Sequence, residues 1–412
     1  MCADTLRVAL VIPNIDAFSG GMERTLKLVE YSASAGIRYT CFEPPGGVPN
    51  EEVAHRLVEF ERIGILDRRA LDPRDRRNDA YDAIAIPTEY WWGPWRRARA
   101  AGLTGPFCLD FHQLPYIGTL DILKREGIDR PSLPDLARLP FLQGKVYAEG
   151  LLSSAWSSFA GVASVRLLAS LRHGRILATT RVVEKNLASL GYHGPVYVPG
   201  CPNGISRAPV EAALEVEERP EFDGLYVGRF HPQKGFLDMP YIVARMKKIL
   251  GPGVNVGLCG GATEPSHVTR FRNLVATLGV ERNVTLLGRI PKADLYRTLR
   301  RSRVLLYPSY VDGFSLTILE SLCLGVPVVA YNIDAVEMIW RRRQGVFSAP
   351  TGDANALGEL ASEIQKYARF EHTQQEAQRQ SRVLLDTYRW EKVVLDERQF
   401  YEGVRTGTEE AG

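Results

Sequence analysis

Short apolar runs alternate with amphipathic helical patterns along most of the chain, and this alternation occurs twice. In the first half, strand-like runs extend from "LRVALVIPN" (residues 6–14) to "PVYVPG" (195–200). A second series extends from "DGLYVGRF" (223–230) to "VPVVAY" (326–331). Apolar strands separated by helices are typical of parallel sheets with helices on both faces. The sequence therefore predicts an α/β protein of two doubly wound, Rossmann-like domains.

The expected domain boundaries follow the same pattern, and 412 residues suffice for two domains. We expect an N-terminal domain over 1–205, a polar linker over 206–222 and a C-terminal domain over 223–385. A helix within 386–412 is expected to pack back toward the N-terminal domain. Ligands of such sheets bind beyond the carboxyl ends of the strands, so two facing domains would form a cleft.

Composition narrows the class of protein. A net charge of +3 is too small to favour a nucleic-acid binder. The six cysteines show no metal-type spacing, which predicts buried thiols, no metal site and a reducing, cytoplasmic location. The N-terminus runs into a strand without a signal-peptide pattern, and no run of about 20 apolar residues predicts a membrane span.

The loop "GRFHPQKG" (228–235) places two cations just after the first strand of the second domain. Arg229 as a planar fork and Lys234 as a point charge can neutralise a diphosphate. A solvated loop is the alternative reading of this segment. We favour a binding function because the cations follow a strand end.

Two carboxylates, Asp312 and Glu320, lie eight residues apart in "VDGFSLTILE" (311–320). Residues 313–316 are expected to form the first turn of a helix, whose free N–H groups and dipole can hold phosphate oxygens. The two acids could then accept hydrogen bonds from sugar and ribose hydroxyls. Asp312 could instead be a helix cap. Glu320 could be a surface acid, although its apolar neighbours imply that it needs a partner.

Two features of the first domain also follow strands. In "SGGMER" (19–24), Gly20 and Gly21 allow a backbone to approach a phosphate or sugar at a helix N-terminus, and a plain tight turn is equally compatible. In "DFHQLP" (110–115), His112 lies at a strand end where it would face the cleft. A structural histidine is the alternative.

In combination, "GGMER", "GRFHPQKG" and "DGFSLTILESLCLGVPVVA" resemble the retaining GT-B glycosyltransferases of group 1, the glycogen-synthase and phosphatidylinositol-mannosyltransferase type. The resemblance is strong over residues 220–345 and looser over 1–205. It implies that Arg229 and Lys234 bind the donor diphosphate and that Glu320 binds the ribose hydroxyls. The acid at Asp312 is usually Glu in that family and contacts the transferred sugar, so the shorter side chain leaves that contact open.

The resemblance implies further site residues. The family's glycine loop maps onto Gly20 and Gly21, and its cleft histidine onto His112. The segment Gly288, Arg289 and Ile290 resembles the loop that packs on the nucleotide base. As catalytic residues we therefore expect Arg229, Lys234, His112 and Asp312. The remaining donor-binding residues are expected to be Gly20, Gly21, Gly288, Arg289, Ile290, Gly313, Phe314, Ser315, Leu316 and Glu320.

The activity that this resemblance implies is a hexosyltransferase reaction of class EC 2.4. Sugar would pass from a nucleotide-diphosphate sugar to a hydroxyl acceptor with retention of configuration, without a metal or another cofactor. The cations and helix N–H groups would stabilise the departing phosphate. Two alternatives remain: a non-catalytic nucleotide-sugar-binding protein, which the Asp312 position favours, and a GT-B-fold nucleotide-sugar epimerase.

The acceptor is expected to bind the first domain. Residues 88–102 combine three Trp with three Arg, and residues 151–175 carry three Arg and no acid. Such segments can rest on an anionic membrane surface, which would imply a lipid-linked acceptor at the cytosolic face. Ordinary helices packed on the sheet are the alternative, and the one we favour.

Overall fold

The structure is a computed structural model, and it describes most of the chain. The described residues are 5–12, 20–44, 50–72, 79–87, 91–112, 163, 175–216, 219–262 and 265–407.

The chain divides into two compact units, the first comprising Met1–Gly204 and Tyr388–Gly412. Its described sheet has seven parallel strands in the order β3-β2-β1-β4-β5-β6-β7. The strands are β1 Leu6–Val11, β2 Ile37–Glu43, β3 Leu66–Ala70, β4 Ala83–Ile86, β5 Phe107–Phe111, β6 Arg175–Ala178 and β7 Val196–Tyr197. The described helices that precede the second unit are α1 Gly20–Tyr31, α2 Glu51–Arg62, α3 Trp92–Ala100 and α4 Arg181–Ser189.

The second unit is Ile205–Thr387, and its described sheet has six parallel strands in the order β10-β9-β8-β11-β12-β13. The strands are β8 Gly224–Val227, β9 Val256–Cys259, β10 Val284–Gly288, β11 Leu305–Tyr307, β12 Val328–Tyr331 and β13 Val346–Ala349. The helices are α5 Arg207–Leu214, α6 Met239–Leu250, α7 Pro265–Thr277, α8 Lys292–Arg300, α9 Leu316–Cys323, α10 Ala354–Ile364 and α11 Tyr367–Thr387. The last helix, α12 Trp390–Thr406, returns to the first unit.

The central strands of both sheets are almost fully buried, which explains their continuous apolar sequences. Strand β4 is buried at every position, and so are β9 and β12. Because helices cover both faces of a parallel sheet, such strands show no alternation of polar and apolar residues. The predicted fold class, two Rossmann-like α/β domains, is confirmed.

Two strands were not expected from the sequence, and both lie at a sheet edge. Strand β3 reads LDRRA and is mostly half-buried, while β13 reads VFSA. Each pairs with a single neighbour, β2 and β12 respectively. An edge strand has less apolar surface to bury, so it carries no long apolar run.

The segment expected to be a linker, 206–222, contains helix α5 in the second unit. Arg300 of α8 donates hydrogen bonds to the carbonyls of Ala213 and Val216 at the end of α5. The five cysteines that the structure describes are buried and form no disulfide with one another. They belong to the cores of the two units.

Candidate active site

The expected donor residues of the second unit lie at the carboxyl end of its sheet, where the strand order reverses. Strand β8 pairs with β9 on one side and with β11 on the other. The chain leaves β8 toward Arg229 and leaves β11 toward Asp312 and α9. This is the place at which doubly wound sheets bind ligands.

The loop that carries the two cations is fixed by local hydrogen bonds and by one glycine. Tyr226 donates its hydroxyl proton to the carbonyl of Arg229 at 2.7 Å. At the end of the loop, Gly235 has φ +71°, and an added Cβ would lie 2.0 Å from the carbonyl oxygen of Pro308. Only glycine fits this left-handed position and its close backbone approach. Lys234 is thereby held against the segment that follows β11.

Lys234 and Asp312 form an ion pair with an Nζ to Oδ2 distance of 2.9 Å. Their side chains are 18% and 19% exposed, so the pair is accessible without being fully solvated. Lys234 also donates to the carbonyl of Val311 at 3.2 Å. The sequence placed both residues in the site but did not pair them.

The Asp312 carboxylate is hydrogen-bonded through both oxygens. Oδ2 also accepts from the Tyr307 hydroxyl, and Oδ1 accepts from the backbone N–H groups of Phe314 at 3.3 Å and Ser315 at 3.2 Å. Burial opposes ionisation, but Lys234 and these donors outweigh it and hold the pKa of Asp312 below its usual value. In this structure Asp312 therefore organises the loop that leads into α9.

The helix begins later than the sequence predicted. Residues 313–315 precede it, α9 begins at Leu316, and the N–H groups of Phe314 and Ser315 are taken by Asp312. Ser315 is the N-cap with φ 72°, and its Oγ accepts from the N–H of Ile318 at 3.3 Å. The N–H groups of Leu316 and Thr317 have no partner within the helix, as in any first turn. Anion binding by this helix would therefore begin at Leu316, because the preceding loop donates to Asp312.

Glu320 is 5% exposed and lies in the apolar part of α9. Its Oε1 forms an ion pair with Lys292 of α8 and accepts a longer hydrogen bond, 3.4 Å, from the Tyr296 hydroxyl. A buried carboxylate requires such partners. Sequence reasoning established the need for a partner but missed Lys292 and Tyr296, since nothing local to α9 indicates which helix supplies them.

Two arginines complete this edge of the sheet. Arg229 and Arg289 are both exposed, and within the described part of the chain neither guanidinium makes a hydrogen bond or ion pair. The side chain of Arg289 lies along Gly261, where an added Cβ would be 3.4 Å from its Cδ. Gly288, with φ +69°, turns the chain between β10 and Arg289. The expected donor residues of the second unit therefore all follow strands of its sheet or belong to α9: Arg229, Lys234, Asp312, Glu320 and the segment 288–290.

The remaining expected residues belong to the first unit. Helix α1 begins at Gly20 and includes Gly21, and His112 follows β5 directly. His112 Nε2 lies 3.6 Å from Asp110 Oδ2, and burial, with a contribution from Arg24, lowers the pKa of His112 to about 3. His112 is therefore neutral at physiological pH.

Arg24 is the last residue of "SGGMER", and the sequence predicted no role for it. It links three parts of the first unit. It is 1% exposed and donates to Asp110 at 2.8 Å, to Glu397 of α12 at 2.6 Å and to the carbonyl of Pro202 at 3.0 Å. Burial raises the pKa of both Asp110 and Glu397, while Arg24 acts to lower both. This ion triad fixes α12 beside α1 and β5.

The structure describes most of one of the two segments considered for membrane contact and little of the other. The segment 151–175 lies outside the described residues, apart from positions 163 and 175. In 88–102, Trp91 is fully buried and stacks on Phe107, while Trp92, Arg96 and Arg99 share one exposed side of α3. Within the described chain, none of the helices combines the length and the apolar character that a membrane span requires.

No group of three or more His, Cys, Asp or Glu side chains suited to a metal ion occurs among the described residues.

Comparison with protein families identifies the second unit. Residues 214–381 match the family "Glycosyl transferases group 1". The chain is 28% identical over 150 residues to a D-inositol 3-phosphate glycosyltransferase from Corynebacterium efficiens, covering 36% of this chain and 35% of that protein. It is 30% identical over 201 residues to a protein of the same name from Mycobacterium sp. (strain KMS), covering 46% and 44%. The matched stretch thus spans less than half the length of these curated relatives.

Solved structures resemble nearly the whole chain. Sucrose-phosphate synthase from Thermosynechococcus elongatus has a TM-score of 0.65 at 17% identity, covering 98% of this chain and 100% of that chain. HepE from Anabaena in complex with UDP-glucose has a TM-score of 0.66 at 14% identity, with the same coverage. At such low identity these likenesses establish the fold. Residues 214–381 are thus similar to the group 1 glycosyltransferases, and the fold of the chain is GT-B.

Proposed function

We propose that the protein transfers a sugar from a nucleoside-diphosphate sugar to a hydroxyl acceptor. The observation that carries this proposal is the arrangement beyond β8 and β11: Arg229, the Lys234–Asp312 pair and the start of α9 lie together, with Glu320 inside the helix. Cations and helix N–H groups suit a diphosphate. A carboxylate such as Glu320 suits the vicinal hydroxyls of a ribose.

The proposed reaction breaks the bond between the anomeric carbon and the phosphate oxygen, and the electron pair leaves with the phosphate. Arg229 and Lys234 stabilise the charge that develops there. The acceptor oxygen bonds to the anomeric carbon and transfers its proton to the departing phosphate oxygen on the same face. Configuration is then retained, and the NMR coupling constant of the product's anomeric proton tests this directly.

The acceptor proposal rests on the named relatives. Because they are D-inositol 3-phosphate glycosyltransferases, we include a polyol phosphate among the acceptors to be tested. The same polyol without phosphate is the matched comparison, and lipid-linked sugars form the second acceptor class. Transfer to the phosphorylated polyol alone would support the first class, and transfer only to lipid-linked sugars would replace it.

Peripheral membrane contact is a separate proposal, supported by the exposed side of α3. Trp92 is 39% exposed and stacks on Trp95 at 5.0 Å, with Arg96 and Arg99 on the same side of the helix. An aromatic ring beside two cations suits an anionic lipid surface. Co-sedimentation with anionic but not neutral vesicles, reduced by Arg96→Gln with Arg99→Gln, is the expected result. Equal binding to both vesicle types, or none, would contradict it.

Turnover distinguishes transfer from the two alternatives. We would incubate the protein with nucleotide sugars and the acceptor panel, and follow release of the nucleoside diphosphate together with the glycosylated product. Lys234→Met should lower kcat by roughly 100- to 1,000-fold, the usual effect of removing one preorganised donor at a developing oxyanion. Lys248→Met, on the exposed side of α6, is the matched control. Binding without turnover would indicate a sensor, and an isomerised nucleotide sugar would indicate an epimerase.

A further inference from the structure

The two carboxylate oxygens of Glu320 differ in their hydrogen-bond partners. Both partners of its carboxylate, the Lys292 ammonium and the Tyr296 hydroxyl, bind Oε1. Oε2 accepts no hydrogen bond from the described part of the chain. The carboxylate is therefore held from one side, and Oε2 is the atom that remains for a ligand.

Lys292 is itself held in place, although half of its side chain is exposed. It lies at the first position of α8, and its ammonium is 5.4 Å from the ring centroid of Tyr296. Tyr296 is 2% exposed and cannot easily move. The side chain of Lys292 is 51% exposed and that of Glu320 is 7% exposed. Lys292 therefore extends from the solvent to the buried carboxylate.

We propose that Lys292 is a positioning residue for ribose recognition: it fixes Oε1 of Glu320 so that Oε2 is presented to the ribose hydroxyls of the donor. This inference rests on the proposed function, in which Glu320 accepts those hydroxyls. It adds that a cation on a neighbouring helix sets the orientation of the acid. Among the described residues, the 3.4 Å contact with Tyr296 is what would remain to orient the carboxylate without Lys292.

The consequence is specific to the sugar of the nucleotide. Loss of Lys292 should weaken binding of a ribonucleoside diphosphate more than binding of its 2′-deoxy analogue, since the analogue keeps only one of the two hydroxyls that Glu320 would bind. A cation that contacted the diphosphate instead would weaken both ligands equally. The ratio of the two affinities therefore separates positioning from direct contact.

The experiment measures both ligands by titration calorimetry. We would use UDP and 2′-deoxy-UDP first, followed by the GDP and ADP pairs, with wild type, Lys292→Met, Lys292→Arg and Glu320→Gln. Wild type should prefer the ribonucleotide by about tenfold or more, the size of one hydrogen bond to a charged group. Lys292→Met and Glu320→Gln should each reduce this preference to about threefold or less, Lys292→Arg should restore part of it, and the control Lys248→Met should retain it.

The double variant Glu320→Gln with Lys292→Met guards against a folding artefact. It removes the buried charge together with its partner, so it should fold and should show no further loss of ribose preference beyond Glu320→Gln alone. Equal weakening of both ligands by Lys292→Met, or an unchanged ratio, would overturn the positioning role while leaving nucleotide binding intact. Failure of wild type to bind any of these nucleotides would instead overturn the proposed function, and this inference with it.

Discussion

Ser315 has a strained backbone conformation and also caps the N-terminus of α9. Among the described residues it is the single non-glycine residue with positive φ, and it lies between Asp312 and the helix that carries Glu320. Its hydroxyl compensates for the strain by capping the N–H of Ile318. A left-handed residue at this point re-aims the chain into α9, which accords with the tendency of such strain to occur at functional sites.

Substitution at Ser315 should separate these two effects. Ser315→Ala loses the cap and keeps the strained φ, so it should reduce the free energy of unfolding by about 1–2 kcal/mol. Ser315→Gly also loses the cap but adopts positive φ freely, so it should cost less than the alanine variant. Urea unfolding measures both. A glycine variant less stable than the alanine variant would contradict this view of the turn.

His112 predicts a dependence of stability on pH. Its pKa is lowered to about 3 by burial and by Arg24, below the ordinary value of 6.5, so the unfolded chain binds its proton first. The stability that this provides is complete above pH 6.5 and is lost as the pH falls toward 3, by at most about 1.4 kcal/mol per pH unit. His112→Gln should flatten the stability curve in this range. The matched control is His55→Gln, at an exposed position of α2.

The buried central strands were predictable from the sequence, whereas the edge strands β3 and β13 were not. The buried strands β1, β4 and β12 are recognisable in the sequence as apolar runs, whereas β3 carries charged residues. The start of α9 was placed too early because the periodicity of "GFSL" does not reveal a left-handed Ser315. Partners such as Lys292 belong to another element altogether, and local sequence cannot specify a contact 28 residues away.

The docking of α12 depends on the ion triad around Arg24. Arg24→Met would leave the carboxylates of Asp110 and Glu397 buried without their cation, which should destabilise the protein by about 3–5 kcal/mol. The matched control is Arg181→Met, whose side chain is 70% exposed and which should change stability by at most about 0.5 kcal/mol. Chemical denaturation compares the two. Equal small effects would show that the triad adds little to stability.

At the scale of the whole molecule, family similarity and fold similarity differ in extent. The family match covers residues 214–381, whereas the solved structures resemble 98% of the chain. The second unit carries Arg229, Lys234 and Glu320, for which the sequence predicts donor-binding roles. The first unit carries Gly20, Gly21 and His112, whose sequence signals are weaker and whose roles remain predictions.

The whole reaction should proceed without an added metal ion. Arg229 and Lys234 already provide positive charge beside the proposed diphosphate position, and this charge can serve where other enzymes use a divalent cation. Transfer rates should therefore be the same in EDTA as in Mg²⁺, with the nucleotide sugar in excess. Loss of activity in EDTA that is restored by Mg²⁺ or Mn²⁺ would contradict this prediction.

The most direct measurement is a thermal-shift titration of the intact protein with UDP, GDP, ADP and their sugar conjugates. Binding to the folded state raises Tm in proportion to the logarithm of ligand concentration. We predict that one nucleotide raises Tm for wild type and Lys248→Met, that Lys234→Met abolishes the shift, and that Glu320→Gln reduces it. If no nucleotide shifts the folded wild-type protein, the assignment of the second unit as a nucleotide-sugar site is wrong.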